Sequence, residues 1–257
     1  MRICFVGDSF TAGHGIRNIA DRFTDRIRAR LEETRPGKYV VANLGEPGLE
    51  ASQIESLMHK LLLDGNDVHM VVYVYCLNDI EGFPLVVDGK YDANTPNIKA
   101  LGGILGAAPR FFLFRDTYFF NWLYYRYVQA SNPSSGDYFT ALAESYGTTQ
   151  WDLLSRKLMQ LNRECREQQV ELRMVVFPFL HCLGSEYPFL EAHEKLVAFC
   201  KQQGIRVLDL EPVFREHVGE NLTVNPFDAH PNPRAHAIAA EAMERELLND
   251  LFEPDGR

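Results

Sequence analysis

A single α/β domain built on a parallel sheet is the fold class this sequence predicts, and three observations predict it. Five short apolar runs are spaced along the chain, helical periods lie between them, and 257 residues with 46% hydrophobic content suffice for one substantial core. Strand alternating with helix implies parallel strands joined by right-handed crossovers, with helices packed on the sheet.

The runs are Ile3 to Val6, Tyr39 to Leu44, Met70 to Tyr75, Leu172 to Phe177 and Ile205 to Leu210. Each is continuous rather than alternating, the pattern of a strand buried on both faces. After the first run, Ile19, Phe23, Ile27 and Leu31 repeat every four residues. Ile54, Leu57, Met58, Leu61 and Leu62 form a second stripe, and Leu154, Leu158, Leu161 and Cys165 a third. Phe189, Leu196, Val197 and Cys200 make the next helix, which stops at Gly204, a residue suited to a left-handed cap. The last helix is predicted from about Arg234 to Leu251.

One segment departs from the alternation. An insertion runs from about Ile80 to Gly147, opening with turn residues at Pro84, Gly89, Pro96, Gly102 and Gly103. Within it, Phe111 to Tyr127 is densely aromatic, but Arg115, Asp116 and Arg126 interrupt the stretch and argue against a bilayer span. The insertion is expected to form either an extra helical layer packed on the sheet domain or a cap beside the site. As a cap it would supply an apolar acyl or alcohol pocket, or a surface for lipid or another subunit.

Composition excludes several functions. A formal charge of -9 argues against a nucleic-acid surface, which draws its affinity from clustered Lys and Arg. Gly7 and Asp8 interrupt the first apolar run too early for a signal-peptide core or a membrane span, so a cytoplasmic location is expected. Cys4, Cys76, Cys165, Cys182 and Cys200 are odd in number and form no Cys-x-x-Cys pair, which signals neither a disulfide framework nor a zinc site. No pair of histidines has His-x-x-x-His spacing, and no metal or other cofactor is expected. Gly13-His14-Gly15 lacks the third glycine of a dinucleotide loop, and neither a Walker sequence nor a Gly-x-Ser-x-Gly elbow occurs.

Chemistry is carried by the two ends of the chain. Gly7-Asp8-Ser9-Phe10 follows the first strand, where open α/β sheets place their ligands. Gly7 permits a sharp turn and Asp8 can tie down the loop, so that Ser9 projects from a rigid base. Asp228-Ala229-His230-Pro231-Asn232 precedes the last helix. A serine hydroxyl is a poor nucleophile until a base removes its proton, and histidine, with a pKa near neutrality, is the usual base. His14 near the serine loop is expected to be a polar loop residue, with pocket lining as the alternative, and His181, at the carboxyl end of the fourth strand, is placed to touch substrate without a catalytic role. His59, His193, His217 and His236 are expected as solvated or satisfied helix side chains, and His69 at a strand entrance.

These segments resemble the blocks of the SGNH (GDSL-type) hydrolase superfamily. Gly7-Asp8-Ser9-Phe10 is similar to its first block, whose fourth residue is more often leucine. Asn43-Leu44-Gly45-Glu46-Pro47-Gly48 is similar to the second, Leu77-Asn78-Asp79 to the third, and Asp228 to Asn232 to the last. The resemblance implies a three-layer α/β/α, flavodoxin-like fold with five parallel strands in order 2-1-3-4-5. It implies Ser9 as nucleophile, His230 as base and Asp228 as the acid, with an oxyanion hole made by the backbone N–H of Ser9, the backbone N–H of Gly48 and the side-chain amide of Asn78. Gly45 is the rival for Gly48.

Two positions depart from the family pattern. Cys76 stands where a glycine is usual, and Phe227 occupies the usual place of the acid, three residues before the histidine. Either Asp228 reaches His230 from two residues away, or a backbone carbonyl orients the ring in a Ser-His dyad. The activity expected is hydrolysis of a carboxylic ester, the substrate a small molecule, lipid or acylated sugar. Carbohydrate deacetylation, acyl transfer, or a catalytically silent binding module are the alternatives.

Overall fold

Continuous burial on both faces selects β-branched and aromatic residues, and the run Met70–Cys76 (MVVYVYC), buried at every position, forms the middle of the sheet. Residues 1–63, 67–83, 85–87, 90–92, 134–184, 186–225 and 228–253 are described by the structure, a computed structural model. In chain order the elements begin β1 (Arg2–Gly7), α1 (Ser9–Ala12), α2 (Phe23–Thr34), β2 (Val40–Gly45), α3 (Ala51–Leu63) and β3 (Met70–Cys76). There follow β4 (Leu85–Val87), β5 (Lys90–Asp92), α4 (Ser134–Ser145), α5 (Thr149–Glu167), β6 (Glu171–Phe177), α6 (Leu190–Gln202) and β7 (Arg206–Asp209). The chain continues through α7 (Glu211–Arg215), β8 (Thr223–Asn225), β9 (Asp228–Pro231), α8 (Pro233–Ala242) and α9 (Asn249–Phe252).

The five expected strands form one parallel sheet in the order β2-β1-β3-β6-β7, which is 2-1-3-4-5 when only its own strands are counted. Helices flank it in the α/β/α manner. β1 sits between β2 and β3, with Gly7 opposite Gly45 on one side and Val74 on the other. That register decides where the loops leave the carboxyl edge of the sheet. At the outer positions burial is incomplete: β2 leaves Val40 exposed and β7 exposes Arg206, because an edge strand is covered by a neighbour on one side alone.

The chain divides into two compact units, residues 1–82 with 154–257, and residues 83–153. In the second unit β4 and β5 make an antiparallel hairpin, and Gln150 donates from Nε2 to the Phe83 carbonyl at 2.7 Å. The aromatic stretch Phe111 to Tyr127, and with it Pro84, Gly89, Pro96, Gly102 and Gly103, lies outside the described residues.

Of three helical expectations, two shift in detail and one holds. Ile19 is not part of the α2 stripe: it sits in a short 3-10 turn, Ile19–Asp21, and is exposed, while Phe23, Ile27 and Leu31 are buried. Gly204 does take a left-handed φ of 66° before β7. The last helix is interrupted, α8 passing into a π-turn at Met243–Leu247 before α9 begins. The cause lies on β6, where buried Arg173 donates to the Leu247 carbonyl at 2.5 Å and to both carboxylate oxygens of Asp250 at 2.7 and 2.6 Å. A carbonyl taken by an arginine and a charge anchored beside it re-aim the chain without any glycine or proline to announce the break.

Candidate active site

Gly7 ends β1 because nothing larger fits there: a Cβ would lie 2.3 Å from the Thr11 hydroxyl oxygen and 2.5 Å from the Val74 carbonyl oxygen. Asp8 then caps α1, its Oδ1 accepting the Phe10 N–H at 2.8 Å. Ser9 is thereby the first helical residue, and its N–H has no acceptor within the helix. Asn43 braces this turn from β2, donating from Nδ2 to the Thr11 carbonyl at 2.7 Å and the Thr24 hydroxyl at 2.9 Å.

His230 comes from the other end of the chain, on β9, which pairs antiparallel with β8. Asn232 holds this hairpin in place. Its Oδ1 caps α8 by accepting from Arg234 and Ala235, and its Nδ2 donates to the carbonyls of Asn221 and Thr223 at 2.7 and 3.1 Å. Phe10 meets the His230 ring edge-on at 5.5 Å and rests in turn on Phe177 at 5.3 Å.

The Ser9 hydroxyl lies 2.9 Å from His230 Nε2, and His230 Nδ1 lies 2.5 Å from Asp228 Oδ1. That Oδ1 also accepts the His230 backbone N–H at 3.1 Å. The two-residue spacing works because the segment is a strand, in which residues i and i+2 point to one side. Of the two ways of orienting the ring left open by the sequence, the structure brings Asp228 to Nδ1. Partial burial alone would raise the Asp228 pKa, but the hydrogen bonds and charge of His230 outweigh it and hold the carboxyl below its usual range. Phe227 lies outside the described residues.

Gly48 and Asn78 emerge from the strands flanking β1. Gly48 lies in the turn after β2 with φ of 81°, and its N–H makes no hydrogen bond among the described residues. Gly45, its rival, has its N–H occupied by Asn43 Oδ1 at 2.9 Å. Asn78 lies in the 3-10 stretch Leu77–Gly82 after β3 and is half-buried. Cys76, beside it in sequence, is buried at the end of β3, where burial and the carboxylates of Asp8 and Asp79 push its thiol pKa well up.

Asp8 ties down the Ser9 loop as expected, but the sequence did not show that it and Asp79 are buried carboxyls. Asp79 is fully buried, with Oδ2 accepting from the Tyr73 hydroxyl at 2.8 Å and Oδ1 unpartnered among the described residues. Burial first, and Asp8 second, drive its pKa well above the carboxylate range. Asp8 is pushed up to about 6 by burial, despite the Phe10 N–H and the nearby His230. Only the buried site immediately after a strand could have hinted at either.

No family model matches the chain, and no curated protein matches it. Solved structures do, over nearly the whole length. A member of the lipolytic G-D-S-L family from Veillonella parvula is 12% identical, covering 96% of this chain and 98% of its own, with a TM-score of 0.57. A catalytic mutant of Axe2, an acetylxylan esterase from Geobacillus stearothermophilus, is 12% identical over 95% and 93%, with a TM-score of 0.57. LAE5, an alpha/beta hydrolase enzyme from the metagenome of Lake Arreo, is 12% identical over 98% and 96%, with a TM-score of 0.58. The strand order, the helical layers and these neighbours agree: the chain has the fold of the SGNH, or GDSL-type, hydrolases.

Proposed function

We propose that the protein is a serine hydrolase of carboxylic esters that works through an acyl-enzyme on Ser9. The observation that carries this reading is the unbroken chain from the Ser9 hydroxyl to His230 Nε2 and from His230 Nδ1 to Asp228, at 2.9 and 2.5 Å. His230 takes the Ser9 proton as Oγ attacks the ester carbonyl, and the resulting imidazolium faces Asp228, which fixes the ring's tautomer. The oxyanion is held by the N–H groups of Ser9 and Gly48 and by the Asn78 amide. His230 then passes its proton to the departing alcohol. Water, deprotonated by the same ring, releases the acid and restores Ser9.

Two supports come from outside the chain. Axe2 is represented by catalytic mutants in a histidine and in a serine, the residue types paired here. Axe2 is also an acetylxylan esterase, which favours a small acyl group on a carbohydrate as the second reading of the substrate. Five free cysteines suit a reducing compartment, and we place the reaction in the cytoplasm. Among the described residues no helix is long and apolar enough to cross a membrane.

The test is hydrolysis of p-nitrophenyl esters graded by acyl length, together with acetylated xylo-oligosaccharide, by the parent and by Ser9→Ala. Turnover should fall at least about 1,000-fold in the variant, and a fluorophosphonate probe should label the parent alone. Equal turnover by both proteins excludes Ser9, and with it the mechanism.

A further inference from the structure

Gly13-His14-Gly15 plays no part in the reaction proposed above, yet its geometry is tightly specified. Gly13 and Gly15 have φ of 77° and 80°, in the left-handed region that side chains rarely enter. Space demands glycine as well. A Cβ on Gly13 would lie 2.5 Å from Arg22 Cδ, and one on Gly15 would lie 2.6 Å from Val224 Cγ2 on β8. The turn after α1 is thus pressed against the β8–β9 hairpin, and the residue it displays there is a histidine. The His14 ring stands 4.4 Å from the His230 ring, tilted by 44°.

Neither ring nitrogen of His14 makes a hydrogen bond among the described residues, and the second carboxylate oxygen of Asp228 makes none either. Ligand atoms of His14, Asp228 and His230 all lie within 4.8 Å of one another, with His14 exposed and the other two half-buried. Two imidazoles and one carboxylate are the donor set of a three-ligand zinc site that leaves a fourth position to water. Tetrahedral zinc with bonds of about 2.1 Å holds its ligands about 3.4 Å apart, so the widest pair, within 4.8 Å, must close by at most about 1.4 Å, and the 2.5 Å contact of His230 Nδ1 with Asp228 Oδ1 must open if those two atoms are the ones used. His14, the exposed member of the set, is the side chain that has room to turn toward the other two. The net charge of -9 favours cation approach, and two nitrogen donors select zinc or copper over magnesium or calcium.

We infer that His14, Asp228 and His230 form an inhibitory site for a divalent transition-metal ion, zinc above all. The inhibition, though not the binding, rests on the hydrolase reading. Whichever nitrogen of His230 the metal takes, the base is lost. Zinc on Nε2 occupies the lone pair that accepts the Ser9 proton. Zinc on Nδ1 displaces the proton shared with Asp228 and leaves Nε2 carrying hydrogen, so that no lone pair faces Ser9. Removal of the ion restores the site.

The experiment uses the full chain, stripped of metal, titrated with zinc in competition with a chromogenic chelator. In parallel, p-nitrophenyl acetate hydrolysis is read as a fraction of each protein's own metal-free rate. One zinc should bind per parent chain, the rate should fall at least tenfold and return with EDTA, and magnesium should do neither. In His14→Gln the zinc dissociation constant should rise at least tenfold, and a smaller rise overturns the site. X-ray absorption of the zinc-loaded parent, which needs no variant, should report two imidazoles and oxygen. Sulfur from Cys182, or a single imidazole, overturns it too. His14-dependent binding in a protein that hydrolyses no ester would leave the metal site standing and sink the hydrolase. Ser9-dependent hydrolysis with His14-independent zinc binding would do the reverse.

Discussion

Among the described residues two carboxylate–imidazole–hydroxyl chains occur, and only one of them is suited to chemistry. In the first, Asp228, His230 and Ser9 are linked at 2.5 and 2.9 Å. In the second, Asp209 Oδ1 lies 2.7 Å from His193 Nδ1, and His193 Nε2 lies 3.1 Å from the Tyr187 hydroxyl. The hydrogen-bond patterns nearly coincide. What separates them is access and the fate of the hydroxyl. The His193 side chain is fully buried, whereas that of His230 is 27% exposed. The Tyr187 oxygen already accepts the Phe179 N–H at 3.2 Å, and burial pushes its phenol pKa far up, so the oxygen has neither a free approach nor a route to the anion. The second chain ties the segment after β6 to α6 and β7, with Asp209 also accepting the Glu211 N–H at 3.0 Å. A triad is therefore defined by an open, deprotonatable hydroxyl as much as by its distances.

Alanine at each histidine in turn should separate the two roles most widely. His230→Ala is expected to lower kcat by about 1,000-fold to a million-fold while moving Tm by only a few degrees. His193→Ala is expected to leave kcat within about twofold at a temperature where the variant is folded, and to cost about 2–4 kcal/mol, because Tyr187 and Asp209 lose a buried partner. Ester hydrolysis beside calorimetry on both variants reads the contrast. A large rate loss at His193 would mean that the buried chain reaches the reaction after all.

Such a contrast was only half legible in the sequence. The five strands were readable because parallel strands buried on both faces leave continuous apolar runs, and Leu154, Leu158, Leu161 and Cys165 did mark the buried face of α5. The π-turn at Met243–Leu247 was not, since its cause is an arginine some seventy residues earlier. Ser9, His230 and Asn78 were named from local motifs. Asp228 was harder, because the family spacing suits a different local backbone and only the β9 strand makes a two-residue separation work. Gly48 was preferred to Gly45 for its distance from Asn43 in the block, whereas the Asn43 side-chain carbonyl that occupies the Gly45 N–H shows only in the fold. Asp209, His193 and Tyr187 are 16 and 6 residues apart and carry no local signature. Pairing across the sheet is a property of the fold, not of a motif.

Charge beneath the first chain offers a second, smaller test. Asp8, whose pKa rises from 3.8 to about 6 through burial, lies under the Ser9 turn. A carboxyl raised on folding contributes stability that is fully present below its unfolded pKa and lost as pH rises through the folded one. Between about pH 4 and 7 Asp8 should therefore withdraw about 2–3 kcal/mol, and Asp79, also raised by burial, withdraws stability in the same direction from about pH 4 upward in parent and variant alike. Asp8→Asn keeps the cap on α1, since asparagine caps as well as aspartate. Thermal unfolding across that window should show the parent losing about 5–10 °C more than the variant. Parallel curves for the two proteins would show that Asp8 keeps its proton affinity on folding.

The smallest expected effect concerns what surrounds each imidazole. His193 is boxed by rings: Tyr187 lies 5.6 Å from it and 5.6 Å from Phe189, which packs at 5.1 Å on Phe179. Among the described residues His230 has one buried aromatic support, Phe10, which stands edge-on to it and to Phe177. Leucine at position 10 keeps the apolar contact but removes both ring-edge interactions, each pair contributing about 0.5–1.5 kcal/mol. Phe10→Leu should then lower Tm by about 2–6 °C and kcat by no more than about fivefold, with KM unchanged, because ring placement affects the chemical step and not substrate contact. If kcat holds while Tm falls, the hydrogen bonds to Asp228 and Ser9 alone suffice to orient His230. The open chain would then differ from the buried one in needing no aromatic walls.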